Sequence, residues 1–100
     1  MLQKSMILLK LKELKQVYEK DGLILLGLFG SYAKDTQTIF SDIDVAYRLD
    51  YDKFSLKYKG GFAKLLKIDD IKKELQSIFK KPIDLVPNSN QSIFKDLIYV

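Results

Sequence analysis

The fold is decided by Leu23-Ile24-Leu25-Leu26-Gly27-Leu28-Phe29-Gly30-Ser31, which is followed after ten residues by Asp42-Ile43-Asp44. The apolar run 23–29 predicts a strand that is buried on both faces, because such strands are continuously hydrophobic rather than alternating. Gly30 lets the backbone approach a ligand closely, and Ser31 is a good N-cap for a short helix over residues 32–35. The free N–H groups at the start of that helix would point at an anion such as a triphosphate.

A second strand is predicted over residues 43–49, with Asp42 just before it. Residues two apart on a strand project to the same side, so Asp42 and Asp44 should face one point. Neighbouring carboxylates repel each other unless a cation lies between them, and magnesium is commonly held by carboxylates together with substrate phosphates. Alone, Gly-Ser is most often a turn and Asp-x-Asp a solvated loop. Together they indicate a site for a nucleoside triphosphate and a metal.

The same residues resemble the signature of a known family. Gly30-Ser31, ten intervening residues and Asp42-Ile43-Asp44 are similar to the motif of the minimal nucleotidyltransferases of the DNA polymerase beta superfamily. The resemblance implies that Gly30 and Ser31 hold the triphosphate of ATP and that Asp42 and Asp44 bind two catalytic Mg²⁺ ions. It also implies a third carboxylate on a later strand.

The candidate for the third acid is Asp84, in a short strand predicted over residues 83–86. An ionised carboxylate among apolar neighbours is costly to bury without a partner, so Asp84 should face an open cleft or a cation. If this strand pairs beside the strand of Asp44, the two carboxylates share a face while Ile83 and Leu85 turn to the core. An edge-strand aspartate facing water is the alternative. Whether Asp84 ligates a metal or takes the proton of the attacking hydroxyl stays open.

Lys34-Asp35 departs from the Arg-Gly that is commoner in the family at this place. Lys34 keeps the positive charge and is the candidate for a further nucleotide contact, although it lacks the planar fork of arginine. Asp35 adds a negative charge near the expected phosphate site.

Composition narrows the classes of function. The chain has 100 residues, 47% of them apolar, which indicates one domain over residues 1–100. The absence of cysteine excludes thiolate metal sites and favours a cytoplasmic setting, and the absence of histidine leaves carboxylates, lysine and tyrosine for chemistry. The net charge of +4 suits an anionic substrate or an acidic partner. Because Arg48 is the single arginine, a nucleic-acid partner is not favoured. The apolar stretch 6–9 is too short for a membrane span.

The remaining segments complete an α/β (α+β) domain with a small mixed sheet flanked by helices. A first helix is predicted over residues 2–20, with Gly22 ending it in the left-handed conformation. Residues 53–61 are predicted to be flexible around Gly60-Gly61, and Asp69 or Asp70 should cap a second long helix. A last helix is predicted over residues 92–100. The apolar stripes are Ile7, Leu11, Leu14 and Tyr18 in the first helix, Ile71, Leu75, Ile78 and Phe79 in the second, and Ile93, Phe94, Leu97 and Ile98 in the last.

The resemblance implies an enzyme that transfers AMP from ATP to a hydroxyl with release of pyrophosphate. Members of this size resemble adenylyltransferase antitoxins encoded beside HEPN-domain ribonuclease toxins, which implies a toxin tyrosine as the acceptor. Two alternatives are a non-catalytic neutralising subunit of the same fold and a nucleotidyltransferase for an antibiotic or another small molecule, for which a homo- or hetero-oligomer could build the pocket. The retained acids favour the enzyme.

Overall fold

A computed structural model describes residues 2–100. The described residues form four α-helices and four β-strands. In chain order these are α1 (Lys4–Tyr18), β1 (Leu23–Phe29), α2 (Gly30–Lys34), β2 (Ile43–Leu49), α3 (Tyr51–Lys57), α4 (Gly61–Phe79), β3 (Ile83–Pro87) and β4 (Ile98–Tyr99), with short 3₁₀ turns at Glu19–Asp21 and Gln91–Lys95.

The four strands form one mixed sheet in the order β3-β2-β1-β4. β2 runs antiparallel to β1 and parallel to β3, while β4 runs antiparallel to β1. A bulge interrupts the β1–β2 ladder between Leu25 and Gly27. One face of the sheet packs on α1 and α4, and the fully buried Ile43 and Val45 lie on that face. The mixed sheet with flanking helices confirms the predicted fold class.

The first helix is confirmed, although α1 is slightly shorter than predicted. Its stripe Ile7, Leu11, Leu14 and Tyr18 is buried in the core. Burying such side chains stabilises the domain by about 1.5–3 kcal/mol each. Gly22 takes the predicted left-handed conformation, with φ of 94°. A side chain there would also collide with α3, since a Cβ would lie 2.6 Å from the backbone nitrogen of Phe54.

The segment after β2 is helical, so the prediction of a flexible segment over residues 53–61 is wrong for residues 53–57. Asp50 caps α3 by accepting a hydrogen bond from the backbone N–H of Lys53 at 3.3 Å. Phe54 is fully buried and packs against Tyr58, with 4.9 Å between the ring centroids. This one aromatic anchor, rather than a repeating stripe, holds α3 to the core. The three apolar positions of α3, only one of them buried, form too short a pattern to predict such a helix.

The second long helix is continuous from Gly61 to Phe79, so the prediction that Asp69 or Asp70 caps it is wrong. Asp69 lies inside α4 and pairs with Lys73 one turn later, at 3.0 Å. Ile71, Leu75 and Phe79 are buried as predicted, and Ile78 packs only partly on the core. None of the helices in residues 2–100 is long and apolar enough to cross a membrane.

The predicted last helix over residues 92–100 is also wrong. The 3₁₀ turn Gln91–Lys95 buries Ile93, and the chain then pairs with the free edge of β1 as β4. The backbone N–H of Val100 donates to the carbonyl of Leu26 at 2.9 Å. Gly27 permits this close approach, because a Cβ there would collide with the backbone of Ile98. Hydrogen bonding to the backbone groups at the free edge of β1 therefore outweighs the helical pattern of residues 92–100.

Replacing Phe54 with Ala should lower the free energy of unfolding by about 3–5 kcal/mol, because the side chain fills the core between α3 and Gly22. Leu56→Ala is the matched control in the same helix: Leu56 is 77% exposed, so its loss should cost less than about 0.5 kcal/mol. Urea unfolding of both variants measures the difference. Equal losses would show that α3 is not anchored through Phe54.

Candidate functional site

The pairing of β2 with β3 places two carboxylates side by side. Asp44 and Asp84 are directly opposite each other in the parallel register. Their neighbours Ile43 and Ile83 are also opposite each other and are buried, so the two acids lie on the other face of the sheet. Asp42 is exposed and lies two residues before Asp44. The three predicted acids therefore occupy one end of one sheet face.

Asp44 is the most strongly perturbed of these acids. Partial burial of its carboxylate, together with the negative charges of Asp84 and Asp42, raises its pKa from 3.8 to about 6. Asp44 is half-buried between its neighbours, whereas Asp42 and Asp84 are exposed. The charges of Asp84 and Asp42 therefore act on Asp44 through space. A cation among them would relieve both the burial cost and the repulsion.

Gly30 brings the start of α2 directly against Asp44. Its φ is 74°, in the left-handed region that glycine favours. A Cβ at this position would collide with Oδ2 of Asp44 and lie 2.9 Å from its Cγ. Only glycine therefore fits between the end of β1 and the carboxylate. A ligand bound at the first turn of α2 would lie next to the acids.

Ser31 lies inside the first turn of α2, so the prediction that it is the N-cap is wrong. The helix begins at Gly30, and Phe29 is the capping residue, without a side-chain hydrogen bond. The Ser31 carbonyl accepts the backbone N–H of Thr36 at 3.0 Å, which closes the other end of the short helix. The hydroxyl of Ser31 is left available to a ligand, as its described contacts are through the backbone.

The two unusual residues Lys34 and Asp35 each have an ion-pair partner. Lys34 Nζ lies 3.4 Å from a carboxylate oxygen of Asp96, near the start of β4. Asp35 accepts a hydrogen bond from Lys4 of α1 at 2.8 Å and takes the left-handed conformation, with φ of 58°. Asp35 thus stands at the C-cap of α2, where glycine is common. Its pairing with Lys4 offsets its negative charge near the site.

Lys81 is a structural contributor to the site that the sequence did not reveal. Its Nζ donates to the carbonyls of Ile39 at 2.9 Å and Ser41 at 3.3 Å, in the loop immediately before Asp42. It also lies 5.8 Å from the centre of the buried ring of Tyr32 in α2. One ammonium group therefore links the start of β3 to the loop that carries Asp42. In the sequence, only its position immediately before Pro82 and β3 distinguishes Lys81 from the other lysines.

The chemistry of the donors fits a hard divalent cation, because Asp42, Asp44 and Asp84 offer only carboxylate oxygens. Asp44 and Asp84 share one face of the sheet, and the raised pKa of Asp44 reflects its partial burial and then the uncompensated charges of Asp84 and Asp42. Within residues 2–100, however, no three acidic side chains already surround a common point as a ligand set.

Comparison with known families decides the class of this fold. The family model of the nucleotidyltransferase domain matches residues 8–98, which include the Gly30-Ser31 motif and the Asp42-Ile43-Asp44 motif. The chain belongs to the nucleotidyltransferase domain family. The resemblance of Gly30-Ser31 and Asp42-Ile43-Asp44 is thereby confirmed at the level of the family, and the protein is a transferase that uses a nucleotide substrate.

Two proteins of Methanocaldococcus jannaschii are similar over nearly their whole lengths. MJ1379 is 40% identical over 101 aligned positions, covering 90% of this chain and 97% of the relative. MJ0126 is 33% identical over 96 aligned positions, covering 89% of this chain and 85% of the relative. Both are provisionally named protein adenylyltransferases. No solved structure is significantly similar to this nucleotidyltransferase.

Asp44→Asn should stabilise the metal-free protein above pH 6. The pKa of Asp44 is about 6 in the folded protein and 3.8 in an unperturbed carboxyl group, so the unfolded chain loses this proton first. The charged group therefore costs nothing below about pH 3.8, an increasing amount between pH 3.8 and 6, and its full amount above pH 6. With allowance for solvent screening of a half-exposed group, the gain should be about 1–2 kcal/mol at pH 8.

Urea unfolding in the presence of EDTA, from pH 4 to 8, gives the difference between Asp44→Asn and the wild type. Asp70→Asn, an exposed aspartate on α4, is the control that removes one charge elsewhere. A difference that does not change with pH would contradict the raised pKa of Asp44.

Proposed function

We propose that this nucleotidyltransferase is a magnesium-dependent enzyme that transfers AMP from ATP to a hydroxyl group and releases pyrophosphate. The observation that carries the proposal is the alignment of Asp44 with Asp84 across β2 and β3, with the start of α2 against the same carboxylate. The triphosphate would then be bound beside the carboxylates of Asp44 and Asp84. Residues 1–100 would form one catalytic domain that acts in the cytoplasm.

The proposed nucleotide site is formed by α2. Gly30 and Ser31 would hold the triphosphate through the first-turn N–H groups and the Ser31 hydroxyl. Lys34 would exchange its partner Asp96 for a phosphate oxygen at little energetic cost, because the present ion pair is partly exposed and 3.4 Å long. Asp35 stays with Lys4 and does not oppose the phosphates directly.

The proposed chemistry is a displacement at the α-phosphorus of ATP. The acceptor oxygen forms a bond to this phosphorus, the bond to the bridging oxygen of pyrophosphate breaks, and the acceptor proton passes to a carboxylate or to water. Asp42 and Asp44 would hold two Mg²⁺ ions, which, when bound, activate the attacking hydroxyl and neutralise the leaving group. Asp84 would either complete the metal site or take the proton. Gly30 keeps the triphosphate close enough for the in-line geometry.

We propose a tyrosine of a HEPN-domain toxin as the acceptor, which would make the protein an antitoxin. The names of the two relatives support a protein acceptor, since both refer to protein adenylyltransferases. The similarity to antitoxins of this size supports the toxin as the partner. An exposed, open position of Asp42 and Asp84 is compatible with a macromolecular acceptor, because a large partner can approach them directly.

Asp44→Asn should reduce AMP transfer by roughly a thousandfold or more, because removal of a metal ligand costs several kcal/mol of transition-state stabilisation. The assay combines the protein, Mg²⁺, ATP labelled at the α-phosphate and a HEPN-domain toxin as the candidate acceptor. Label should appear on the acceptor, and ATP labelled at the γ-phosphate should give none. A tyrosine-to-phenylalanine series in the acceptor then locates the modified residue.

Asp70→Asn is the matched control and should transfer at the wild-type rate. Full activity of Asp44→Asn would overturn the assignment of this acid to the reaction. If the wild type binds and neutralises the partner without transferring label, the non-catalytic alternative replaces the enzyme.

A further inference from the structure

The positive charge of the chain is concentrated in one part of the surface. Residues 51–68, here called the α3–α4 corner, comprise α3, the Gly60-Gly61 turn and the first part of α4. The corner contains five lysines and one aspartate, whereas the rest of the chain contains twelve basic and twelve acidic residues. The net charge of +4 is therefore that of the corner alone.

Two of these lysines are free to act on a partner. Lys57 and Lys67 both pair with Asp21, and Lys53 donates to the carbonyl of Glu19. Lys59 and Lys64 form neither an ion pair nor a side-chain hydrogen bond with residues 2–100. The free charges thus lie on both sides of the Gly60-Gly61 turn.

The same corner exposes large apolar side chains. Phe62, Leu65 and Leu66 are 77%, 67% and 50% exposed, and their spacing on α4 places them on one stripe. Tyr51 and Leu56 of α3 are also mostly exposed. Exposed apolar side chains grouped in this way, rather than scattered singly, are typical of interaction sites.

A cavity of about 600 Å³ adjoins this stripe. It lies between the end of β2, the start of α3, the first part of α4 and the residues that follow β3. Its lining includes Tyr47, Tyr51, Leu65, Ile68 and Pro87. Leu65 belongs both to the stripe and to the cavity wall, so the two features form one surface. None of the three acids lines the cavity, which separates it from the proposed nucleotide site.

We propose that the α3–α4 corner is the docking surface for the acceptor protein, whose contacting face is acidic around an apolar centre. Apolar side chains of the partner would enter the cavity beside Leu65, and its acidic residues would face Lys59 and Lys64. The identification of this partner as the acceptor of AMP rests on the proposed function. The positive charge of the corner and its apolar cavity, rather than the AMP-transfer reaction, indicate that the partner's surface is acidic around an apolar centre.

Three other occupants fit the corner less well. A second copy of the chain would bring two surfaces of charge +4 together, which repel. A membrane would lie flat against exposed side chains and leave the cavity unfilled. A nucleic acid would leave the apolar stripe in water, and a single arginine, Arg48 in the cavity wall, is there to stack on or pair with bases.

The distance to the acids suits a protein of ordinary size. A strand rises about 3.3 Å per residue, so Leu49 at the cavity end of β2 lies about 17 Å from Asp44. A roughly circular interface of about 800 Å² on each partner is about 32 Å across, which exceeds this distance. The corner lies with α4 on the sheet face opposite the acids, so a partner held there would extend round the end of the sheet to present a tyrosine to them.

The test measures the dissociation constant of the acceptor protein from chains that also carry Asp44→Asn, so that no turnover occurs. Two double variants alter the corner: Lys59→Glu with Lys64→Glu, and Phe62→Gln with Leu65→Gln. Each should weaken binding at least tenfold. The lysine pair should also reduce the salt dependence of binding, because it removes the steering charges.

Matched controls place the same changes elsewhere. Lys12→Glu with Lys72→Glu repeats the charge change, and Met6→Gln with Leu9→Gln repeats the apolar change at the same helical spacing on α1. Both should bind within about twofold of the parent. Unchanged thermal melts show that the corner variants remain folded.

Equal binding by the corner variants and the parent, or equal weakening by the two control pairs, would overturn the docking surface. Loss of binding to phosphatidylserine vesicles in the corner variants, with protein binding unchanged, would assign the surface to a membrane instead. If the parent does not bind the acceptor protein, the docking proposal is wrong. AMP transfer by the wild type to a short tyrosine peptide then decides separately whether the proposed function stands.

Discussion

The parallel pairing of β2 with β3 is the constraint on which the site depends. Ile43 and Ile83 are buried side by side, and this fixes Asp44 and Asp84 beside each other on the opposite face. A slip of one residue would turn Asp84 into the core and expose Ile83, at a cost of a few kcal/mol for each exchanged side chain. Core packing therefore holds together two carboxylates that repel each other, and the raised pKa of Asp44 follows first from its partial burial and then from this repulsion.

Two further contacts complete this arrangement from outside the strand pair. Gly30 allows the first turn of α2 to lie against Asp44, where any side chain would collide with the carboxylate. Lys81 holds the loop before Asp42 through the carbonyls of Ile39 and Ser41. The acids, the first turn of α2 and the loop are thus positioned by the backbone and by the core. The same scaffold leaves the α3–α4 corner free at the far end of β2 for a partner.

The parts of the fold predicted correctly are those with strong local patterns. The apolar runs of β1 and β2 and the stripe of α1 depend on burial that repeats along the chain, and the family motif at Gly30 and Asp42-Ile43-Asp44 is compact. The wrong predictions for residues 53–57 and for the last helix, and the omission of Lys81, have one cause, which is contact between distant segments. Phe54 makes α3 stable by packing under Gly22, and the free edge of β1 recruits β4 in place of a helix. Lys81 reaches a loop 40 residues away, which local sequence cannot reveal.

The measurement that tests the central claim most directly is the carboxyl titration of Asp44 by NMR. It is made in the wild type and in Asp84→Asn, with and without Mg²⁺ and a non-hydrolysable ATP analogue. The account predicts a pKa near 6 in the wild type, a lower pKa in Asp84→Asn, and a further decrease when magnesium and nucleotide bind. An Asp44 that titrates near 3.8 in both proteins, with no response to magnesium and nucleotide, would contradict the claim that β2 and β3 assemble a metal-binding pair of carboxylates.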